Sequence, residues 1–136
     1  MIRIKGMAAV FDAPDLLGDR IAFGAFDESL VFRPAERIRM LWNHDPNICV
    51  GHWEAVRTGS LGLLAEGIVD QRLADVAFLA NADLRGLSIG YQAVRCTPIK
   101  GGRRLLQVDL YEISLTPMPM HPGATFDVVA IDEVAA

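Results

Sequence analysis

Three short segments of this chain carry side chains suited to nucleophilic catalysis: W-N-H-D at Trp42 to Asp45, G-L-S-I-G at Gly86 to Gly90, and Y-E-I-S-L at Tyr111 to Leu115. A serine hydroxyl is a weak nucleophile until an imidazole takes its proton, and the imidazole needs a third group to hold its tautomer and orientation. His44, Ser88 and Glu112 offer one of each. Taken singly, each has an ordinary explanation: a polar turn histidine, a serine in a glycine turn, a solvated strand glutamate. Taken together, they must also explain why Glu112 and Ser114 interrupt the apolar face of one strand.

The elements that would position these residues are mostly short β runs. Residues 2–11 read as a first strand, with Ile2 and Ile4 alternating with charges, and residues 12–19, with Pro14 and Gly18, read as a loop. Residues 27–36 suit a short helix or turn limited by Pro34. Strand candidates at 38–43 and 50–57 flank a turn at His44-Asp45-Pro46-Asn47, and 61–69 reads as a further strand. Residues 71–84 change period: Leu73, Val76, Ala77, Leu79 and Ala80 recur at helical spacing, with Asp70 as N-cap.

Two long β runs follow, 89–99 and 103–115, joined around Lys100-Gly101-Gly102, where glycines favour a tight hairpin turn. Leu106, Val108 and Leu110 are apolar at even positions, whereas Tyr111, Ile113 and Leu115 are apolar at odd ones. A one-residue bulge near Leu110 explains the switch. With Gly101 and Gly102 as the loop, Ser88, Glu112 and Ser114 share one face. Glu112 then lies about four residues along from the position facing Ser88, roughly 13 Å at strand rise.

G-L-S-I-G spells the G-x-S-x-G nucleophile elbow, but that elbow needs a strand before the serine and a helix after it. The order here is the reverse. His44, Cys49, His52 and Cys96 match none of the common zinc-ligand spacings, and Cys49 reads as a buried structural thiol among apolar neighbours. No glycine loop opens a helix to cradle phosphate. No metal or cofactor is expected.

The 136 residues suit a single domain, residues 1–136, and 51% are apolar, which suits a globular core. A formal net charge of −4, with 13 basic residues scattered apart from Arg103 and Arg104, argues against nucleic acid as a partner. No run approaches the length of a membrane span and no secretory leader is legible, so a soluble protein in a reducing cytoplasm is expected. The closing E-V-A-A at 133–136 suits a processed end and a native one equally.

The chain resembles the phage prohead proteases of the HK97 type, which are related to the herpesvirus assemblins. The resemblance covers most of the chain, from the opening G-x-x-A-V-F-D at Gly6 to Asp12 and G-D-R-I-A-F-G-A-F at Gly18 to Phe26, through L-W-N-H-D-P-N-I-C-V-G-H-W and G-L-S-I-G, to P-M-P-M-H-P-G-A at Pro117 to Ala124. It implies an α+β fold, mainly β: a small antiparallel barrel flanked by a few helices, chiefly residues 71–84. It implies a serine endopeptidase with Ser88 as nucleophile, His44 as general base and Glu112 as the orienting acid, with Asp45 and Asp109 as alternatives for the third role.

M-P-M-H-P-G-A stands where assemblins carry an arginine pair at their oxyanion site. Backbone N–H groups around Ile89 and Gly90, or in the 119–123 loop, are the candidate replacements. The implied partners are the major capsid protein with its scaffolding segment and other prohead proteins. A homodimer is also implied, and the implied location is the assembling procapsid in the bacterial host cytoplasm, with phage and phage-derived particles both compatible. The competing reading is a catalytically silent capsid-interior or scaffold-binding protein that keeps the same barrel.

Overall fold

The structure, a computed structural model, describes residues 1–131, so the 133–136 segment lies outside the described residues. In chain order the elements are β1 (Ile2–Val10), β2 (Arg20–Ile21), α1 (Asp27–Phe32), β3 (Arg39–Trp42), β4 (Asp45–Thr58) and β5 (Gly62–Val69). They are followed by α2 (Val76–Ala80), β6 (Gly86–Ile99), β7 (Gly102–Thr116) and β8 (Phe126–Ile131). Single 3-10 turns lie at Ala35–Arg37 and Ala82–Leu84. Among the described residues no helix is long and apolar enough to cross a membrane.

The strands form one sheet in the order β2-β7-β3-β4-β5-β1-β8, with β6 on the other side of β7. Pairing is antiparallel except where β7 takes β3 and β2 as parallel neighbours. The sheet curls until its two ends meet at an isolated bridge between Gly86 and Thr125, next to the Leu87 N–H donating to the Ala124 carbonyl at 2.9 Å. The expected mostly antiparallel β architecture with few helices is therefore present. The barrel, however, is not closed by a continuous ladder.

Alternation along β7 fixes which side chains face inward. Ile113 and Leu115 are fully buried in the core with Met40, Trp53 and Leu87, while Glu112 and Ser114 point to the other face. A one-residue slip would exchange the two sets. At roughly 1.5–3 kcal/mol per fully buried aliphatic side chain, ejecting Ile113 and Leu115 would cost about 3–6 kcal/mol. The Trp53 indole N–H adds a pin from β4, donating to the Ile113 carbonyl at 3.2 Å.

The bulge expected near Leu110 is present: Gly90 pairs with Glu112 and Tyr91 with Leu110, leaving Tyr111 as the extra residue. The turn, however, is Lys100-Gly101 rather than Gly101-Gly102, since Ile99 pairs with Gly102 and Gly101 takes a φ of 87°. Moving a two-residue loop back by one position shifts the register by two. Ser88 therefore faces Ser114, and Glu112 lies two residues along instead of about four, or roughly 7 Å at strand rise.

The helix expected over 71–84 shrinks to the five residues of α2. Asp75 is its N-cap, accepting the Ala77 N–H at 2.9 Å and the Phe78 N–H at 3.3 Å. Asp70 instead turns the chain by accepting the Arg72 N–H at 3.0 Å and pairing with its guanidinium, which holds the carboxyl down at about 2. Leu73 is exposed, so the helical spacing at 73–77 described a turn and a cap rather than one buried stripe. β2 and β8 were not legible as strands. Cys49 is an exposed free thiol, contrary to the buried one expected, because it lies near the start of β4, where the ladder to β3 is irregular.

Candidate active site

The β3–β4 connection is tighter than the four-residue turn expected. Trp42 pairs with Asp45 across only Asn43 and His44, which are both left-handed at φ 48° and 63°. Two central residues with positive φ define the type I′ hairpin, which favours Asn and tolerates His better than most residues. Because β3 lies parallel to β7, with Leu41 beside Ser114 and Trp42 beside Leu115, the hairpin tip projects over the end of β7. The Asn43 N–H donates to the Leu115 carbonyl at 2.9 Å, and the His44 N–H donates to Ser114 Oγ at 2.9 Å.

In that position the His44 imidazole meets Glu112: Nδ1 is hydrogen-bonded to Oε1. A carboxylate only accepts, so the proton sits on Nδ1 and the Nε2 lone pair is free to act as a base. The bond to Glu112 raises the imidazole's pKa above its ordinary value, against the opposing effect of burial. The pair spans a boundary, with the Glu112 side chain 11% exposed and that of His44 41%. The second Glu112 oxygen, Oε2, accepts the Ser114 hydroxyl at 2.6 Å.

Ser88 lies directly across the ladder from Ser114, and hence beside the residue that touches both His44 and Glu112. It is the third residue of a 14-residue strand with no helix after it, which excludes the hydrolase elbow. Its hydroxyl is buried and has no hydrogen-bond partner among the described residues. A buried polar group without a partner is uncommon and often marks a functional position.

The glycines of G-L-S-I-G have packing reasons of their own. A Cβ on Gly90 would lie 2.2 Å from Glu112 Oε1 and 2.6 Å from its Cγ, so the acid side chain folds across the space the glycine leaves. A Cβ on Gly86 would meet the Thr116 carbonyl at 2.4 Å and the Pro119 ring at 2.8 Å. The 117–124 loop, which contains one of the two candidate sources of oxyanion donors, thus packs on the strand just before Ser88.

The other acids are engaged elsewhere. Asp109 Oδ1 pairs with Arg33 at 2.5 Å and lies 3.4 Å from the Ser29 hydroxyl, and the guanidinium holds its carboxyl below the usual range. Asp45 Oδ1 takes the Asn47 N–H at 2.9 Å within its own turn. His121 is buried near the Ala13 carbonyl, 3.2 Å from Nε2. Among the described residues no group of three or more His, Cys, Asp or Glu side chains is placed to hold a metal ion. Ser114 and Thr116 join the site without having been given a role from sequence; the signal available was a pair of hydroxyls at alternate positions on the Glu112 face.

Comparison with known proteins places this geometry in context. A family model described as Caudovirus prohead serine protease matches residues 1–135. The prohead protease of Enterobacteria phage HK97 is 29% identical over 128 residues, which cover 88% of this chain and 56% of that protein. Among solved structures, the KSHV protease in complex with a hexapeptide phosphonate inhibitor is similar in fold at a TM-score of 0.63 and 17% identity, over 92% of this chain and 63% of that one. The varicella-zoster virus protease is similar at a TM-score of 0.57 and 15% identity, over 93% and 63%. The chain therefore spans little more than half the length of the phage relative and under two thirds of either herpesvirus protease.

Proposed function

The chain belongs to the Caudovirus prohead serine protease family, and on that premise we propose that it is a serine endopeptidase that cuts capsid-related proteins during procapsid maturation. The observation that carries the reading is the His44 Nδ1 to Glu112 hydrogen bond, with Glu112 on the strand paired to that of Ser88 and two residues along from its partner Ser114. It supports a triad in which Glu112 orients the base and the free Nε2 of His44 serves the nucleophile.

In the proposed reaction Ser88 Oγ attacks the peptide carbonyl while its proton passes to His44 Nε2. The imidazolium, stabilised by Glu112, then protonates the leaving amine, and water releases the acyl group by the same steps in reverse order. Glu112 is favoured over Asp109 and Asp45 as the third member because it alone of the three is bonded to the imidazole. That Ser88 Oγ has no partner fits a resting state, since catalytic hydrogen bonds often tighten only with substrate in place. The fold needs no metal or cofactor for this chemistry.

The proposed substrates are the scaffolding segment of a major capsid protein, other prohead proteins and the protease itself. The proposed setting is the interior of a procapsid in the host cytoplasm, with a homodimer as the working form and 1–136 acting as one domain. Co-expression with the major capsid protein of the same phage or prophage, with products sized by mass spectrometry, tests the reading. Wild type yields discrete fragments, and Ser88→Ala reduces their rate by about three orders of magnitude or more. Equal processing by both proteins would remove Ser88 from the mechanism, and no processing by wild type would favour the silent structural protein.

A further inference from the structure

Two hydroxyl residues on β7 have no step in the chemistry above, yet they are among the most buried polar groups in the chain: Ser114 at 0% and Thr116 at 1% exposure. They occupy successive positions on the face that carries Glu112, and each holds one residue of the hairpin tip. Ser114 Oγ accepts the His44 N–H at 2.9 Å while donating to Glu112 Oε2 at 2.6 Å. Thr116 Oγ1 donates to Asn43 Oδ1 at 2.8 Å and accepts the Met118 N–H at 3.1 Å.

The base sits on a two-residue connection whose residues are both left-handed without being glycine, so the local backbone alone holds it poorly in this form. The acid is a long side chain that could take several rotamers. A hydroxyl that fixes the base's backbone and the acid's second oxygen at the same time joins the two parts into one rigid unit. Its neighbour ties the adjacent tip residue to the same strand and to the 117–124 loop.

We propose that Ser114 and Thr116 are positioning residues, a paired hydroxyl clamp that holds the His44 tip against Glu112. The proposal rests on the reading of His44 as the base and Glu112 as its acid. The other charged groups around the pair are engaged elsewhere. Arg39 on β3, beside Glu112 in the ladder, donates to the Pro46 carbonyl at 2.7 Å, and Asp45 on β4 caps its own turn.

The test uses the full chain as wild type, Ser114→Ala and Thr116→Val, the last preserving side-chain volume and hence the packing. His44 is titrated by NMR through its imidazole protons. In parallel, a fluorophosphonate probe reports the nucleophile: Ser88 Oγ bonds to phosphorus, fluoride leaves and the hydroxyl proton passes to His44, at a rate followed against pH by intact mass. With the clamp released, Glu112 swings away from the imidazole, and the His44 midpoint in Ser114→Ala falls toward the ordinary histidine value by roughly half a pH unit or more. The labelling rate falls about 10- to 100-fold, and Thr116→Val moves both readouts the same way by less.

A His44 midpoint that stays or rises in Ser114→Ala, with an unaltered labelling profile in both variants, overturns the clamp. Should Ser114→Ala fail to fold, Thr116→Val decides by the same readouts. Wild type that resists labelling at Ser88 while the His44 midpoint still moves in Ser114→Ala defeats the protease reading and leaves the clamp standing. Labelled wild type with an unmoved midpoint does the reverse.

Discussion

The Glu112 side chain crosses to the neighbouring strand through the space left by Gly90: a Cβ there would stand 2.2 Å from Oε1 and 2.6 Å from both Cδ and Cγ. Gly90 and Glu112 are direct ladder partners, so a side chain at position 90 and that of Glu112 compete for the same space. The last glycine of G-L-S-I-G is thus a requirement of the acid and not of a serine turn.

Gly90→Ala is therefore expected to expel the Glu112 side chain from its place beside His44 while leaving the sheet folded. A displaced orienting group costs on the order of a hundredfold in rate. Tm should fall only modestly, because alanine suits a strand better than glycine and offsets part of the cost of displacing the Glu112 side chain. Cleavage assays alongside thermal melts check this; wild-type cleavage by Gly90→Ala would show that the acid's position is immaterial.

The hydrogen bond from His44 to Glu112 fixes the sign of the pH dependence. It raises the histidine's pKa above its ordinary value of about 6.5, so the neutral base forms only as the pH climbs through that raised value. Cleavage by wild type should rise with pH to a plateau with a midpoint above about 6.5, and Glu112→Gln should bring the midpoint down toward it with a much lower plateau. The stabilisation from the pair is full below the unfolded histidine's pKa and is lost as pH rises through the folded one. The stability gap between wild type and Glu112→Gln should accordingly narrow with rising pH. A mutant midpoint equal to that of wild type would dissociate Glu112 from the base.

Asp109 offers the contrasting case. Its carboxylate is committed to Arg33, with Ser29 beside it, on the strand that carries Glu112. Both members of that ion pair are partly exposed, so Asp109→Ala should cost about 1 kcal/mol or less in stability and leave the cleavage rate in the same order of magnitude. Urea melts with parallel rate measurements test it. A dead but folded Asp109→Ala protein would transfer the third role to that residue.

Much of the site was legible in sequence because it depends on local alternation. The parity switch between Leu110 and Tyr111 located the bulge and showed that Ser88, Glu112 and Ser114 share a face, and N-H-D marked a turn for His44. The limits were equally physical. Lys100-Gly101 and Gly101-Gly102 are both plausible loops by composition, yet choosing between them moves the register by two residues. Helical spacing from Leu73 to Ala80 cannot distinguish a helix from a capped turn when Asp75 supplies the cap.

What the sequence determined by itself was the set of chemical groups, their order and the faces of the strands that hold them, because those follow from residue type and a two-residue period. Tertiary structure decided which groups meet. Pairing β3 parallel to β7 joins residues 68 or more apart in the chain, bringing His44 onto Glu112 and Ser114. Packing of α1 against β7 likewise committed Asp109 to Arg33. Such contacts depend on how the whole sheet curls to bury its core, and no local pattern of residues encodes that.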